Sequence, residues 1–467
     1  MHLSAMATDR IDTLFAQFRV TGPGCALGIT RNLRPVYQKS YGLADLDFGV
    51  AIASDTSFDL ASVSKQFTAM AVFMLAHEGK IGLDDDIRRY IPELPIYGAP
   101  ITIRELIHHT SGLRDIYHLR SLMGLTEKDY FSEEDFLADL ARQKHLAFPT
   151  GEQWRYSNTG YLLLGMMVKR VTHKTLAQFA QERIFGPLQM THTFFADDAM
   201  RVVKNRATGY YRQKDGSFKR GVTLFEMVGD GGLISTIHDL MLWDRDFYEG
   251  KVWSPAIKAD MLAPGRLKDR TVTAVGDGAV YAGGLFVGTR RGLGYIRHSG
   301  SFVGFRTDQL RFPERKLGIT VLCNLNEIDA GSLSDRIADI LLEHDYRAPM
   351  PKSPEAKSAP HNATPIPQEI LDAFAGVYHS DELAADYRIL RENGSIRILM
   401  GKREVPLDVG DYASSPLSLI GPDTVGDEVF AFKLRRSGRD VSGFEMSVVG
   451  GPPMVFARVV VRKPPAQ

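Results

Sequence analysis

Phe67, Met70, Ala71, Met74 and Leu75 recur at three- and four-residue spacing, which predicts a helix that buries one apolar face and is ended by Gly79. The same period over residues 9–20 predicts a packing helix near the N-terminus. Leu83, Ile87 and Ile91 mark a surface helix or turn, and Thr102 is placed to cap a short helix ending near Gly112. Ser132, followed by Glu133, Glu134 and Asp135, reads as a further helix start, with apolar positions 136, 137 and 140 behind it. A glycine-rich approach at 229–232 leads into an amphipathic helix capped by Ser235.

Strand patterns stand at both ends of this helical middle. G-C-A-L-G-I-T-R-N and P-V-Y-Q-K-S-Y-G-L-A form a hairpin around N-L-R. Late in the chain V-Y-A-G-G-L-F-V, then L-G-Y-I-R-H-S-G-S-F-V-G-F-R-T-D-Q-L-R-F, then L-G-I-T-V-L-C-N-L-N read as three consecutive strands. Residues 348–368 are rich in proline and read as a linker between residues 1–347 and a C-terminal unit, 369–467. That unit carries short alternating strands, an Asn-Gly hairpin at 393 and 394 and a turn near 437–440, the pattern of a small closed all-β barrel.

Composition narrows the partners. With 467 residues, 56 basic and 56 acidic side chains and a net charge of +0, the chain shows no outstanding basic run, and neither nucleic acid nor an anionic membrane surface is an expected partner. No stretch approaches the roughly 18 apolar residues of a membrane span. M-H-L-S-A-M-A-T-D-R lacks the apolar core of a secretory signal, so the cytoplasm is the expected compartment, or the periplasm if a leader precedes this start. Cys25 and Cys323 are expected to be buried free thiols.

The candidate chemistry begins at Ser62 and Lys65 in F-D-L-A-S-V-S-K. Three residues apart on a helix, they share a face, so a hydroxyl lies within reach of an amine. An exposed lysine, protonated up to about pH 10.4, takes no proton from serine, so Lys65 must be desolvated or lie near other positive charge. Ser64, beside Lys65, points elsewhere and is the weaker candidate. Tyr156, Ser157 and Asn158 occupy a turn-rich loop at the mouth of an apolar helix, where site residues are often held. His298 and Gly300 sit inside a late strand, and a strand glycine often marks the close approach of a ligand or another backbone. His108 and His109 face different ways with no third ligand spaced to join them, so helix-end hydrogen bonding is expected of them and no metal site.

S-x-x-K, then Y-x-N, then H-x-G, with H-T-S-G-L and G-G-L-I-S-T beside them, resembles the penicillin-recognising serine hydrolases, most of all the class C β-lactamase branch with its D-aminopeptidases, esterases and D,D-peptidases. The resemblance covers residues 9 to about 345. It implies an α+β fold: an antiparallel sheet flanked by helices, plus a helical lobe, with the site between them. The C-terminal segment is similar to the lipocalin-like barrel appended to D-aminopeptidases, although only one barrel fits here.

By the resemblance Ser62 is the acylated nucleophile, Lys65 and Tyr156 share its proton, and Asn158 holds Lys65 and the substrate amide. The backbone N–H groups of Ser62 and Ser301, beside Gly300, form the oxyanion hole. His298 stands where most β-lactamases carry the lysine of K-T-G, and an imidazole titrating near pH 6.5 is a weaker, conditional partner for a carboxylate. The implied function is a serine hydrolase acting through an acyl-enzyme on a small amide, D-amino-acid peptide or ester, with no cofactor and with room for a homodimer. The alternatives are a β-lactamase or D,D-carboxypeptidase, and a non-catalytic penicillin-binding sensor or scaffold.

Overall fold

The computed structural model describes residues 3–18, 21–276, 278–349, 368–392, 395–401, 403–406, 417–420, 429–437, 440–448 and 452–459. An eight-stranded antiparallel sheet runs in the order Ala274–Val275, Ala279–Tyr281, Phe286–Arg290, Leu293–Phe302, Phe305–Phe312, Leu317–Cys323, Cys25–Arg31 and Arg34–Tyr41. The N-terminal hairpin thus completes a sheet built mostly from the end of the region. Its Asn32–Leu33 turn has positive φ at both residues, 51° and 67°, as a two-residue hairpin requires.

Two of the three late runs are themselves hairpins. The middle one folds at Val303 and Gly304 into Leu293–Phe302 and Phe305–Phe312, because both turn residues take positive φ. The first divides into Ala279–Tyr281 and Phe286–Arg290.

Alternation along the strands sets the layers. Leu27, Ile29, Ile319 and Val321 pack with Ile11 and Phe15 of the helix Ala5–Phe15 and with Leu333 and Ile337 of the helix Ala330–Leu341. The opposite face takes the helix Ile237–Glu249 so closely that a Cβ on Gly28 would stand 2.5 Å from Ile237. That helix is capped by Thr236, whose hydroxyl accepts from the Asp239 N–H; Ser235, the expected cap, ends the preceding strand.

Behind the sheet, the helix Lys65–His77 is buried on every side from Lys65 to Leu75 and not along a single face. Its polar residues are satisfied internally. Gln66 donates to Gln309 at 3.0 Å and accepts from the Trp243 indole at 2.7 Å, and Thr68 donates to the Gly229 carbonyl at 2.7 Å. Gly79, at φ 68°, ends the helix as expected.

Cys25 and Cys323 are joined in a disulfide, not free. The two strands that carry them pair with Cys25 directly opposite Cys323, a register invisible across their separation of 298 residues.

The C-terminal unit is a second eight-stranded antiparallel sheet, in the order Arg403–Pro406, Ser395–Met400, Ala385–Glu392, Gly376–Ser380, Met454–Arg458, Asp440–Val448, Val429–Ser437 and Leu417–Ile420. Phe444 meets Tyr378, Phe432 and Phe456 at centroid distances of 5.1, 5.3 and 4.5 Å, so rings from several strands converge inside a curled sheet. Among the described residues its end strands Arg403–Pro406 and Leu417–Ile420 do not pair, which makes it a half-barrel where a closed barrel was expected. The expected linker core at 350–367, the Asn-Gly pair at 393 and 394 and the turn residues 438 and 439 lie outside the described residues.

Candidate active site

Ser62 does not lie in the regular α-helix but in a 3₁₀ turn, Ala61–Ser64, that leads into it at Lys65. In such a turn side chains at i and i+3 eclipse, which aligns hydroxyl and amine more closely than an α-helical turn would. The turn is anchored at its start. The Leu60 N–H donates to the Leu233 carbonyl at 2.8 Å, the Ala61 N–H donates to Asp59 at 2.8 Å, and Ala61 is held at φ 47°.

Lys65 is 0% exposed. Its Nζ donates to Ser62 Oγ at 3.1 Å, Asn158 Oδ1 at 2.8 Å and the Asp230 carbonyl at 2.7 Å. Burial pushes the amine down to about 8, while the charges of Asp230 and Asp115 hold it from falling further. Ser64 is excluded from this cluster, because its buried hydroxyl donates to the Ala61 carbonyl at 2.5 Å and accepts from the Leu233 N–H at 3.2 Å.

Tyr156 arrives on the loop ahead of the helix Asn158–Thr172. The loop is tied to the segment 109–113: the Arg155 N–H donates to the His109 carbonyl at 2.9 Å and the Ser157 N–H to His109 Nδ1 at 3.2 Å. The His109 ring then lies 4.4 Å from the Tyr156 ring. His109 is therefore a neutral structural acceptor, as expected, and burial holds it well below the usual histidine range. His108 does similar local work, its Nδ1 lying 3.0 Å from the Arg104 carbonyl.

Lys65 Nζ stands 4.8 Å from the centre of the Tyr156 ring. The phenol oxygen is buried without a hydrogen bond of ordinary geometry, although the Ser62 hydroxyl lies near enough to favour its ionised form. Burial dominates and raises the phenol well above 10.

His298 comes into the same cluster, its ring 6.1 Å from that of Tyr156, but in a different state from the expected one. It is 2% exposed, with Nδ1 2.6 Å from the Ser299 carbonyl and Nε2 3.2 Å from the Tyr281 hydroxyl. A carbonyl only accepts, so Nδ1 carries the proton and Nε2 accepts from Tyr281. Burial first, then the charge of Lys65, pushes the ring down to about 3. The imidazole is neutral in this arrangement and both nitrogens are engaged within the protein.

Gly300 meets the expectation of a close approach. A Cβ there would lie 2.3 Å from the Leu60 carbonyl and 3.0 Å from the Ala61 Cβ. The strand's pairing with Phe286–Arg290 ends at Arg297, so Gly300 and Ser301 border the Ser62 turn on an edge that this neighbour does not cover.

Sequence reading missed three residues that hold this cluster. Asp115 Oδ2 accepts from both the backbone N–H and the side-chain amide of Asn158, at 2.6 and 3.0 Å. Asp230, 4% exposed, accepts from the Tyr117 hydroxyl at 2.7 Å, and burial raises its carboxyl to about 6. Tyr281 donates to the Nε2 that the Ser299 carbonyl, by holding the proton on Nδ1, leaves free to accept. Only Asp115 left a local signal, as an acidic helix cap that also binds the Tyr117 N–H. Among the described residues no group of three or more His, Cys, Asp or Glu is placed to hold a metal, and no helix is long and apolar enough to cross a membrane.

The beta-lactamase family model matches residues 11–342. The chain belongs to the beta-lactamase family. Penicillin-binding protein 4* of Bacillus subtilis is 27% identical over 306 residues, 62% of this chain and 66% of that protein. A D-aminopeptidase of Cereibacter sphaeroides is 27% identical over 364 residues, 76% of this chain and again 66% of the relative. This beta-lactamase-family chain thus spans slightly less than two thirds of the length of those curated relatives. The octameric penicillin-binding protein homologue from Pyrococcus abyssi shares the fold, with a TM-score of 0.63 at 20% identity over 96% of this chain and 99% of that one.

Proposed function

We propose that the protein is a serine hydrolase that acylates Ser62 with small amides, D-amino-acid peptides or esters. The observation that carries this reading is the buried Lys65 amine, 3.1 Å from Ser62 Oγ and held near the pH at which it can accept a proton. Lys65, and not Tyr156, is the base of the resting site, because the phenol is raised well above 10 and keeps its proton.

Neutral Lys65 takes the proton of Ser62 Oγ as that oxygen bonds to the acyl carbon. The negative charge moving onto the carbonyl oxygen is met by the N–H groups of Ser62 and Ser301. Tyr156 gives its proton to the departing nitrogen or oxygen as the acyl bond breaks, and Lys65 restores it. Asn158 keeps the amine aligned throughout. Water then hydrolyses the ester by the same transfers in reverse.

The engaged, neutral His298 weighs against a substrate whose binding depends on a terminal carboxylate, which places β-lactams and D-Ala-D-Ala ends behind neutral amides and esters. A relative named D-aminopeptidase is consistent with that ranking. Purified protein is tested with p-nitrophenyl esters, D-alanine p-nitroanilide and nitrocefin, with a fluorophosphonate as site label. Turnover and labelling that both vanish in Ser62→Ala are expected; a folded wild type that is neither labelled nor active removes the proposal.

A further inference from the structure

The C-terminal sheet touches the helical lobe at the point where the site's orientation is set. Glu382 lies in the turn between the strands Gly376–Ser380 and Ala385–Glu392. Its carboxylate accepts from Arg114 Nη1 at 2.9 Å, with the two side chains only 7% and 9% exposed. The Lys144 N–H donates to the same oxygen at 3.3 Å, and Gln143 donates to the Glu382 carbonyl at 2.9 Å. Arg114 Nη2 reaches a second strand end of the unit, the Pro452 carbonyl, at 2.8 Å.

The other end of the same helix is also held. The helix Ile116–Leu122 gives its Leu122 carbonyl to the Tyr387 hydroxyl at 2.7 Å, and Gly124 lies so close to Met400 that a Cβ would stand 2.2 Å from the Met400 carbonyl. The C-terminal unit therefore clamps this helix at both ends. Asp115 is the helix's N-cap and the residue after Arg114. The Arg114 carbonyl accepts from the Thr159 hydroxyl at 2.7 Å, and Thr159 accepts from the Ile116 N–H at 2.8 Å, so the backbone on either side of Asp115 is locked to the helix that begins at Asn158. From Asp115 the path is direct: two hydrogen bonds to Asn158, then one from Lys65 to Asn158 Oδ1.

We propose that the C-terminal β unit is a positioning element of the active site: Glu382, acting through Arg114, fixes Asp115 and so holds the Asn158 amide against Lys65. Arg114, the guanidinium of that buried pair, is the residue immediately before Asp115, the site's orienting carboxylate. A buried ion pair is also intolerant of losing one partner, so removing the Glu382 charge should loosen the clamp.

The proposal rests on the hydrolase reading, and its test keeps the two apart. The rate of Ser62 phosphonylation and, where turnover is present, kcat and KM are followed against pH in the full chain for wild type, Glu382→Gln, Arg114→Lys and Tyr387→Phe. In Glu382→Gln we expect kcat or the labelling rate to fall about tenfold with KM within about twofold. The alkaline-going limb should shift to lower pH, because an ammonium with a loosened Asn158 acceptor gives up its proton more readily. Arg114→Lys, which keeps the charge, should recover part of the loss. Tyr387→Phe, which frees only the far end of the helix, should lower the melting temperature and shift the limb less than Glu382→Gln does. In Asp115→Ala, adding Glu382→Gln should cost less than twofold. A Glu382→Gln protein with an unchanged rate and limb, or losses that multiply in the double variant, overturns the positioning role. A wild type that Ser62→Ala leaves unaltered overturns the hydrolase reading itself. If Glu382→Gln fails to fold, Arg114→Gln with an unchanged rate and an unmoved limb overturns the positioning role in its place.

Discussion

Asp115 Oδ2 receives both the backbone N–H and the side-chain amide of Asn158, at 2.6 and 3.0 Å. With its nitrogen committed to a carboxylate, the Asn158 amide has one orientation, and its Oδ1 can only face Lys65 Nζ at 2.8 Å. A single carboxylate thus decides where the lysine's donors point, and one of those donors is shared with Ser62.

Removing that carboxylate should be costly in rate before it is costly in stability. In Asp115→Ala the helix Ile116–Leu122 loses its cap, worth about 1 kcal/mol, while Asn158 becomes free to rotate. A fall in kcat of roughly ten- to a hundredfold is expected, the range seen when groups that orient a reacting residue are lost. Stopped-flow acylation beside thermal melts separates the two; a rate loss no larger than the stability change explains would show that Asn158 needs no such anchor.

Lys65 gives the pH profile its shape. Because its folded value is lowered to about 8 from 10.5, the neutral amine is the minor form below pH 8, and kcat/KM should rise about tenfold per pH unit up to that point and then level. His298, down near 3, stays neutral across this range and should add no limb near 6.5. Stability moves in the same direction. Between pH 8 and 10.5 the unfolded chain binds more protons at Lys65 than the folded one, so this residue's contribution is least favourable below 8 and improves as pH rises. A flat profile from about pH 6 to 9 would contradict the base assignment.

The two serines of the motif should separate cleanly. Ser64 Oγ bridges the Ala61 carbonyl and the Leu233 N–H, so Ser64→Ala strands two buried groups and should cost about 1–3 kcal/mol while Ser62 is still labelled. Ser62→Ala should melt near the wild type and take no label. Mass spectrometry of the labelled peptide decides between them.

The sequence disclosed what is local. Ser62 and Lys65 are three residues apart, Tyr156 and Asn158 share one loop, and His298 and Gly300 share one strand, so each pattern can be read without knowing where the chain crosses itself. Asp115 meeting Asn158, Tyr281 meeting His298 and Asp230 meeting Lys65 depend on crossings between distant segments, and an isolated acid or phenol leaves no spacing to find. The same limit explains the cysteines, which read as two unrelated apolar strands until the register sets them opposite each other. It also explains the central helix, whose polar Gln66 and Thr68 leave its apolar stripe one-sided in the sequence but are satisfied by Trp243, Gln309 and Gly229 inside the protein.

Pairing of Cys25 with Cys323 carries its own test. Denatured without reductant, the protein should show no thiol reactive to iodoacetamide, and two after reduction. Closing a loop between residues so far apart limits the unfolded chain, so reduction should lower stability by up to about 6 kcal/mol in the chain-entropy account. A full pair of reactive thiols without reductant would return the cysteines to the free state first read from the sequence.

His298 offers the sharpest test of substrate class. If the imidazole is packed and neutral, its two bonds, to the Ser299 carbonyl and from the Tyr281 hydroxyl, matter to the wall of the site and not to recognition of charge. His298→Phe keeps the ring contacts with Tyr156 and Phe286 but leaves those two groups unpaired, at about 1–3 kcal/mol of stability. Turnover of a neutral ester and of its analogue with a terminal carboxylate should fall by the same factor, leaving their ratio of kcat/KM unchanged within about twofold. A loss confined to the carboxylate substrate would mean that the ring does meet a negative charge, and would move this protein back towards the peptidases and β-lactamases that require one.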